Sequence, residues 1–231
     1  ISTRDWSSDV CSSDLRAFNH RFHYLGQPLN VVPWEFCRDF GNGGISSGGV
    51  HAFDVVQWAL GMDHSGPVEV IPPETGQYPE LTYKYAGGEI LHVVDGRMDR
   101  SRHTIPAGWD PMTPIQAFGA LFVGEHGWIH VGREGYLTSH PASLVRDLPS
   151  QYTSLLAVQG HHSDFLDAIR TRRRPSCDVS IGHQSTILPI LGCIARWTGR
   201  ALKWDPAREA FIGDADANRM RCRTMREPWR V

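Results

Sequence analysis

Along residues 50–60, Val50, Phe53, Val56, Gln57 and Leu60 fall at i, i+3, i+4 spacing, and Gly61 follows as a natural stop. That spacing predicts a helix. "PVEVI" at 67–71 reads as a strand. "ELTYKYAGGEILHVVDG" at 80–96 reads as a hairpin around Gly87 and Gly88. Residues 97–116 hold charged residues and three prolines with no period, which predicts a long loop. A second hairpin is expected over 117–132, turning at Gly124–Gly127, with irregular chain at 138–158. Phe165, Leu166 and Ile169 give an apolar stripe to a helix over 161–175. A longer helix spans 179–200, with a kink expected near Pro189. "ALKWD" is a short strand, and a small helix is expected near 214–222. Hairpins followed by helices late in the chain predict an α+β fold: a mainly antiparallel β-sheet with helices packed on one face.

The first residues stand apart from this pattern. "DWSSDVCSSDL" at 5–15 has no apolar period and resembles, codon for codon, the translation of a short-read sequencing adapter. Residues 1–15 are therefore set aside as non-native. Residues 16–231 are expected to be one domain of a protein that continues upstream. Residues 16–42 read as loop, with a short extended piece at "VVPWEFC".

Composition narrows the function classes. The net charge over 231 residues is −2. Leaving out Arg4, Asp5, Asp9 and Asp14 brings it to neutral, which gives no electrostatic reason to expect nucleic acid as a partner. No apolar run approaches the roughly 20 residues of a membrane span. With Cys11 set aside, Cys37, Cys177, Cys193 and Cys222 form no CxxC pair and read as buried free thiols.

Candidate chemistry concentrates in "GGISSGGVHAFDVVQWALG" at 43–61. The glycines at 41–49 do not match GxGxxG after a strand, because Ser46 takes the last glycine position, so no cofactor site is expected here. His51 and Asp54, three apart, share a helix face at its first turn. Two readings stand side by side: polar residues at a helix start, or a histidine held at a mouth that Gly48 and Gly49 leave open to close approach. Imidazole has an intrinsic pKa of about 6.5, suited to exchanging a proton with a hydroxyl. His161 and His162 cannot both face one ion, because adjacent helical positions diverge, and no metal site is expected. Either could line a pocket, and His162 is carried forward. The "RTRRRP" run and the arginines at 219–230 read as solvated helix ends. Trp34, Phe36 and Trp109 default to core.

The stretch "GGISSGGVHAFD" resembles the start of the C-terminal domain in the glucose–fructose oxidoreductase/inositol dehydrogenase (Gfo/Idh/MocA) family. "VQWALGMDHSGPVEVIPP", "LFVGEHGWIHVGR", "HHSDFLDAIRTRRRPSCDVSIGH", "ALKWDP" and "FIGDADANRM…REPW" extend the likeness over nearly all of residues 34–231. The resemblance implies nicotinamide-dependent oxidoreduction of a sugar or cyclitol hydroxyl. NAD or NADP would be held by a separate Rossmann domain that also carries a lysine in a Glu-Lys-Pro-type motif. It places the histidine of an Asp-x-x-x-His pair on His51. The aspartate position falls on Ser47, which can only hydrogen-bond. Asp54 matches an acidic position expected to orient the helix turn or the histidine. His51 is thus the catalytic candidate, with Ser47, Asp54 and His162 as substrate-binding candidates. A carbohydrate is the implied small-molecule partner, and self-association through the sheet is expected. Two rival readings are glycosidic-bond cleavage by transient oxidation and a non-catalytic carbohydrate-binding module.

Overall fold

The computed structural model describes residues 36, 41–94, 96–146 and 160–222. The expectations for residues 1–15, for the extended piece at 31–37 apart from Phe36, for Trp34 and Cys37, and for the arginines beyond residue 222 lie outside them. Of the other cysteines expected to be buried, Cys193 is, whereas Cys177 and Cys222 are exposed. In chain order the described elements begin with helices α1 (Gly44–Ser47) and α2 (Gly49–Ala59). Strands β1 (Glu69–Ile71), β2 (Thr82–Lys84), β3 (Ile90–His92), β4 (Ala120–Gly124), β5 (Gly127–Val131) and β6 (Leu137–His140) follow. Then come helices α3 (Ser143–Arg146), α4 (His161–Thr171) and α5 (Val179–Thr198), strands β7 (Leu202–Asp205) and β8 (Ala210–Phe211), and helix α6 (Ala215–Arg219).

The fold is α+β, and the strands divide into two antiparallel sheets rather than one. The larger has the order β3-β2-β1-β7-β8, and the smaller β4-β5-β6. Both expected hairpins are present: Tyr83 pairs with Leu91 in the first, and Phe122 with Ile129 in the second. Two elements fall where the pattern predicted irregular chain, β6 and α3. Both are only four residues long, too short to show a period. Residues 97–116 hold neither helix nor strand, as expected.

The core lies between the five-stranded sheet and helices α2 and α5. Val70, Leu81, Tyr83, Tyr85, Leu202, Trp204 and Phe211 from the sheet side meet Phe53 of α2 and Leu188, Leu191, Ile194 and Ala195 of α5. Each large aliphatic side chain so buried contributes about 1.5–3 kcal/mol. Helix α5 starts because Asp178 caps it, its carboxylate accepting from the Ser180 backbone N–H at 2.8 Å and hydroxyl at 2.6 Å. It ends at Gly199, whose left-handed φ of 67° a side chain would resist. Pro189 lies inside this helix, which is assigned as one element from Val179 to Thr198.

Close packing fixes α5 against the sheet. The Tyr83 hydroxyl donates to the Leu188 carbonyl at 2.8 Å, and burial pushes its pKa well above the ordinary value. Gly192 lets the ring in: a Cβ there would run into that hydroxyl and stand 2.7 Å from Leu81 Cδ2. Gln57 closes the other end of the interface. Its amide N–H groups donate to the carbonyls of Met62 and Ser65, and its oxygen accepts from the Tyr85 hydroxyl at 2.9 Å.

The smaller sheet carries its own aromatic cluster. Trp109, buried as expected, meets Trp128 at 4.9 Å and His130 at 5.0 Å, centroid to centroid. His130 is fully buried, and its Nε2 accepts from the Gln116 backbone N–H at 3.0 Å. The proton therefore sits on Nδ1, and burial pushes the imidazole pKa down, keeping it neutral.

Helix α4 departs from expectation in its packing. Phe165, Leu166 and Ile169 are exposed, and among its described side chains only Ala168 is buried. The arginine run behaves as read: Arg170 pairs with Asp167, Arg173 with Asp164 and Arg174 with Asp178. Among the described residues no helix is long and apolar enough to cross a membrane.

Candidate functional site around His51

The glycine-rich stretch is helical, not a loop. Gly43, with φ of 79°, opens α1, and Gly48 joins α1 to α2 in near-helical conformation. The stretch is anchored from outside by Cys193 of α5. Burial pushes its thiol pKa up, and the neutral S–H donates to the Asn42 carbonyl at 3.1 Å.

The glycines make room for protein, which corrects the expectation that Gly48 and Gly49 leave an opening. A Cβ at Gly48 would stand 3.2 Å from Phe118 Cε1, and one at Gly44 would stand 3.3 Å from Phe36 Cε1. One at Gly49 would touch Ile45 and Phe53 at 3.6 Å. Phe36 is half exposed and packs on this stretch rather than in the core. These contacts also test the dinucleotide. A pyrophosphate cradle needs bare backbone between a strand and a helix. Here helix precedes helix, and aromatic rings already fill the approach, so these residues do not fit the group.

Phe118 is the centre of the site. It holds φ of 60°, a left-handed conformation that costs a non-glycine residue about 1–3 kcal/mol and clusters at functional positions. Its ring meets His51 edge-on at 5.2 Å between centroids. The guanidinium of Arg133 lies over the same ring, 4.8 Å from its centroid. His51 itself is exposed in the first turn of α2, and its imidazole makes no hydrogen bond or ion pair among the described residues.

The other candidates are placed as follows. Asp54 is half-buried, and its Oδ1 accepts from the Ser185 hydroxyl of α5 at 2.6 Å. Its carboxylate thus ties α2 to α5 and is spoken for by that helix, not by the His51 ring. Ser47 ends α1 and is exposed, one residue before the glycine that receives Phe118. His162 is exposed in the first turn of α4, its ring 4.7 Å from that of His161. No described contact joins it to His51. Among the described residues no group of three or more His, Cys, Asp or Glu side chains is placed to hold a metal ion.

Phe118 and Arg133 were not singled out from the sequence. Phe118 reads there as one more apolar residue in "AFGALF", and a left-handed φ on phenylalanine leaves no trace in periodicity. Arg133 closes the "LFVGEHGWIHVGR" stretch, where a lone arginine after a strand carries no pattern.

Residues 123–231 match the model described as oxidoreductase family, C-terminal alpha/beta domain, of the Gfo/Idh/MocA type. No curated protein and no solved structure matches the chain. The matched residues begin within β4 and include β5, Arg133 and α5, the elements against which Phe118, His51 and α2 are set. Over residues 123–231, a little under half of its length, the chain is thus similar to the C-terminal α/β domain of the Gfo/Idh/MocA oxidoreductase family.

Proposed function

We propose that this chain forms the substrate side of a nicotinamide-dependent oxidoreductase acting on a sugar or cyclitol hydroxyl, with His51 as its acid–base group. The domain belongs to an oxidoreductase family that is generally NAD(P)-dependent. The carrying observation is the docking of α2. This helix lies outside the matched residues, yet its Phe53 enters the shared core and its Asp54 bonds to Ser185 of matched helix α5. The imidazole is therefore set in a fixed place on the family domain, exposed and with both ring nitrogens open to a ligand.

Each residue then has a definite task. His51 takes the proton from a substrate hydroxyl, or returns it in the reverse direction. Phe118 walls one side of the imidazole and limits its rotation. Asp54 positions the helix that carries the imidazole. Ser47 offers a hydroxyl to the substrate, and His162 is a more distant candidate for the same purpose. NAD or NADP, bound by residues other than those described, would supply the hydride chemistry. Self-association through the five-stranded sheet and the absence of nucleic-acid or membrane partners complete the proposal.

A second reading is a non-catalytic carbohydrate-binding module. It is favoured by two observations: no described carboxylate contacts His51, and serine stands at position 47. Turnover separates the two. The full-length gene product is assayed for NAD(P)H formation on a panel of sugars and cyclitols, as wild type, His51→Gln and His51→Ala. The expected loss is about 10²–10⁴-fold in kcat, with unchanged thermal unfolding. Near-wild-type turnover in both variants would remove His51 from the chemistry. Absence of turnover in wild type, with sugar binding retained, would favour the module.

A further inference from the structure

Among the described residues Arg133 is an arginine without an acid. Arg102, Arg173, Arg196 and Arg200 each reach a carboxylate, at 2.8, 2.7, 3.8 and 2.7 Å. The Arg133 guanidinium instead lies on the Phe118 ring and makes no hydrogen bond or ion pair among the described residues. Stacking of this kind fixes the plane of a guanidinium while leaving its N–H edge free, the arrangement that receives a carboxylate or phosphate through two parallel bonds.

The ring that holds Arg133 is itself held. Phe118 keeps a left-handed φ, and its edge fits against Gly48, where a Cβ would be tight at 3.2 Å. The same ring touches His51. A cation and a proton-exchanging imidazole thus share one wall. Their separation cannot exceed the two ring distances together, a span that one monosaccharide with its substituents can bridge. A neutral hydroxyl would gain little from the guanidinium beyond an ordinary hydrogen bond, whereas an oxyanion forms a charge-assisted pair about twice as strong.

We propose that Arg133 is a specificity residue that selects a polyhydroxylated ligand bearing an oxyanion, a sugar acid or a sugar phosphate, with that oxyanion on Arg133 and a hydroxyl at His51. This rests on the reading of His51 given above for the hydroxyl end, but not for the anion end. No acidic ligand is implied by the fold alone; the assignment comes from the unpaired guanidinium and the ring it shares.

The test uses the 231-residue chain with three probes: D-glucuronate, D-glucose 6-phosphate and D-glucose. Calorimetry gives the affinities, and the ring-proton NMR signals of His51 report on the hydroxyl end. At least one anion is expected to bind about ten-fold tighter than glucose, and to lose that advantage at high salt. Arg133→Gln is expected to bring the anion down to the level of glucose while leaving glucose unchanged, and Arg133→Lys to keep part of the advantage. The tighter of the two anions identifies carboxylate or phosphate. Anions that bind no tighter than glucose, or do not bind, overturn the inference, as does an Arg133→Gln variant that binds them as wild type does. Failure of the His51 reading looks different: Arg133-dependent anion binding persists while the His51 signals stay still.

Discussion

A single missing methyl group decides how two parts of this molecule meet. Gly192 admits the Tyr83 ring to the backbone of α5, so Gly192→Ala forces a Cβ into the hydroxyl that bonds Leu188. Overpacking of this kind costs about 1–3 kcal/mol. Chemical denaturation should show a lower midpoint with an unchanged slope. Gln57 is the polar counterpart. Gln57→Leu keeps the volume but strands the Tyr85 hydroxyl and the Ser65 carbonyl, while the Met62 carbonyl keeps the Ser65 N–H. Each buried group left unpaired costs about 1–3 kcal/mol. A melting temperature equal to wild type would show that water takes over those bonds. At the site, Gly48→Ala presses on Phe118 Cε1 from 3.2 Å. The displaced ring should alter the His51 ring-proton shifts while leaving the overall fold intact, which one NMR comparison would show.

Among the elements, the ends of helices carry the acid sensitivity. At helix starts Asp178 accepts the hydroxyl and backbone N–H of Ser180 and Asp214 the backbone N–H of Ala217, and Asp164 accepts from Ser176 and Arg173. These bonds hold all three carboxyls below the usual carboxylate range. A depressed folded pKa contributes stability that is fully present above the unfolded value of about 3.9 and is lost as pH falls through the folded value. Stability should therefore drop on acidification below about pH 4, and less steeply in Asp214→Asn, as thermal melts across that range would record. His130 adds a separate window. It is buried neutral with a lowered pKa, so the unfolded chain binds its proton first. Its contribution is complete above the unfolded value of about 6.5 and declines as pH falls below it.

How much of these elements could be read from the sequence follows from their length and surroundings. Helix α2, both hairpins, α5 and β7 have a period or a turn residue that speaks locally. Helix α1 was hidden because glycine and serine are weak helix formers, and only packing on α5 and the Cys193 tie make that stretch helical. The stripe of α4 was correctly placed on one face but not buried, since periodicity states which face is apolar and not what meets it. At the site, His51 was legible from its glycines and helix start. The reason for the glycines was not, because Phe118 lies 70 residues away in sequence from Gly48 and only the fold brings its ring there.

For the whole molecule, the sheet face turned away from α2 and α5 bears on self-association. It presents the Glu69–Lys84 ion pair at 3.1 Å and the exposed Ile90 and His92. A dimer built on this face would be partly polar. If the proposal of self-association through the sheet holds, Ile90→Glu should shift sedimentation toward the monomer. An unchanged profile would place any contact elsewhere.

The strand order has a further consequence for how the chain is put together in time. In the five-stranded sheet, β1 pairs with β7, joining Val70 to Leu202 across most of the described chain. The smaller sheet and α3 to α5 all lie between these two strands in sequence. Closing so long a loop is slow, and folds rich in such distant pairings fold late and cooperatively. The family-matched span begins after β1, β2 and β3 have passed. Made alone, residues 123–231 would present β7 with its edge bare and α5 without its sheet, and should remain unfolded by amide exchange. Adding residues 41–122 in trans supplies the absent strands together with Phe118 and the helix that bears His51. Protection should then return to both pieces at once, making assembly of the core and positioning of the histidine a single event.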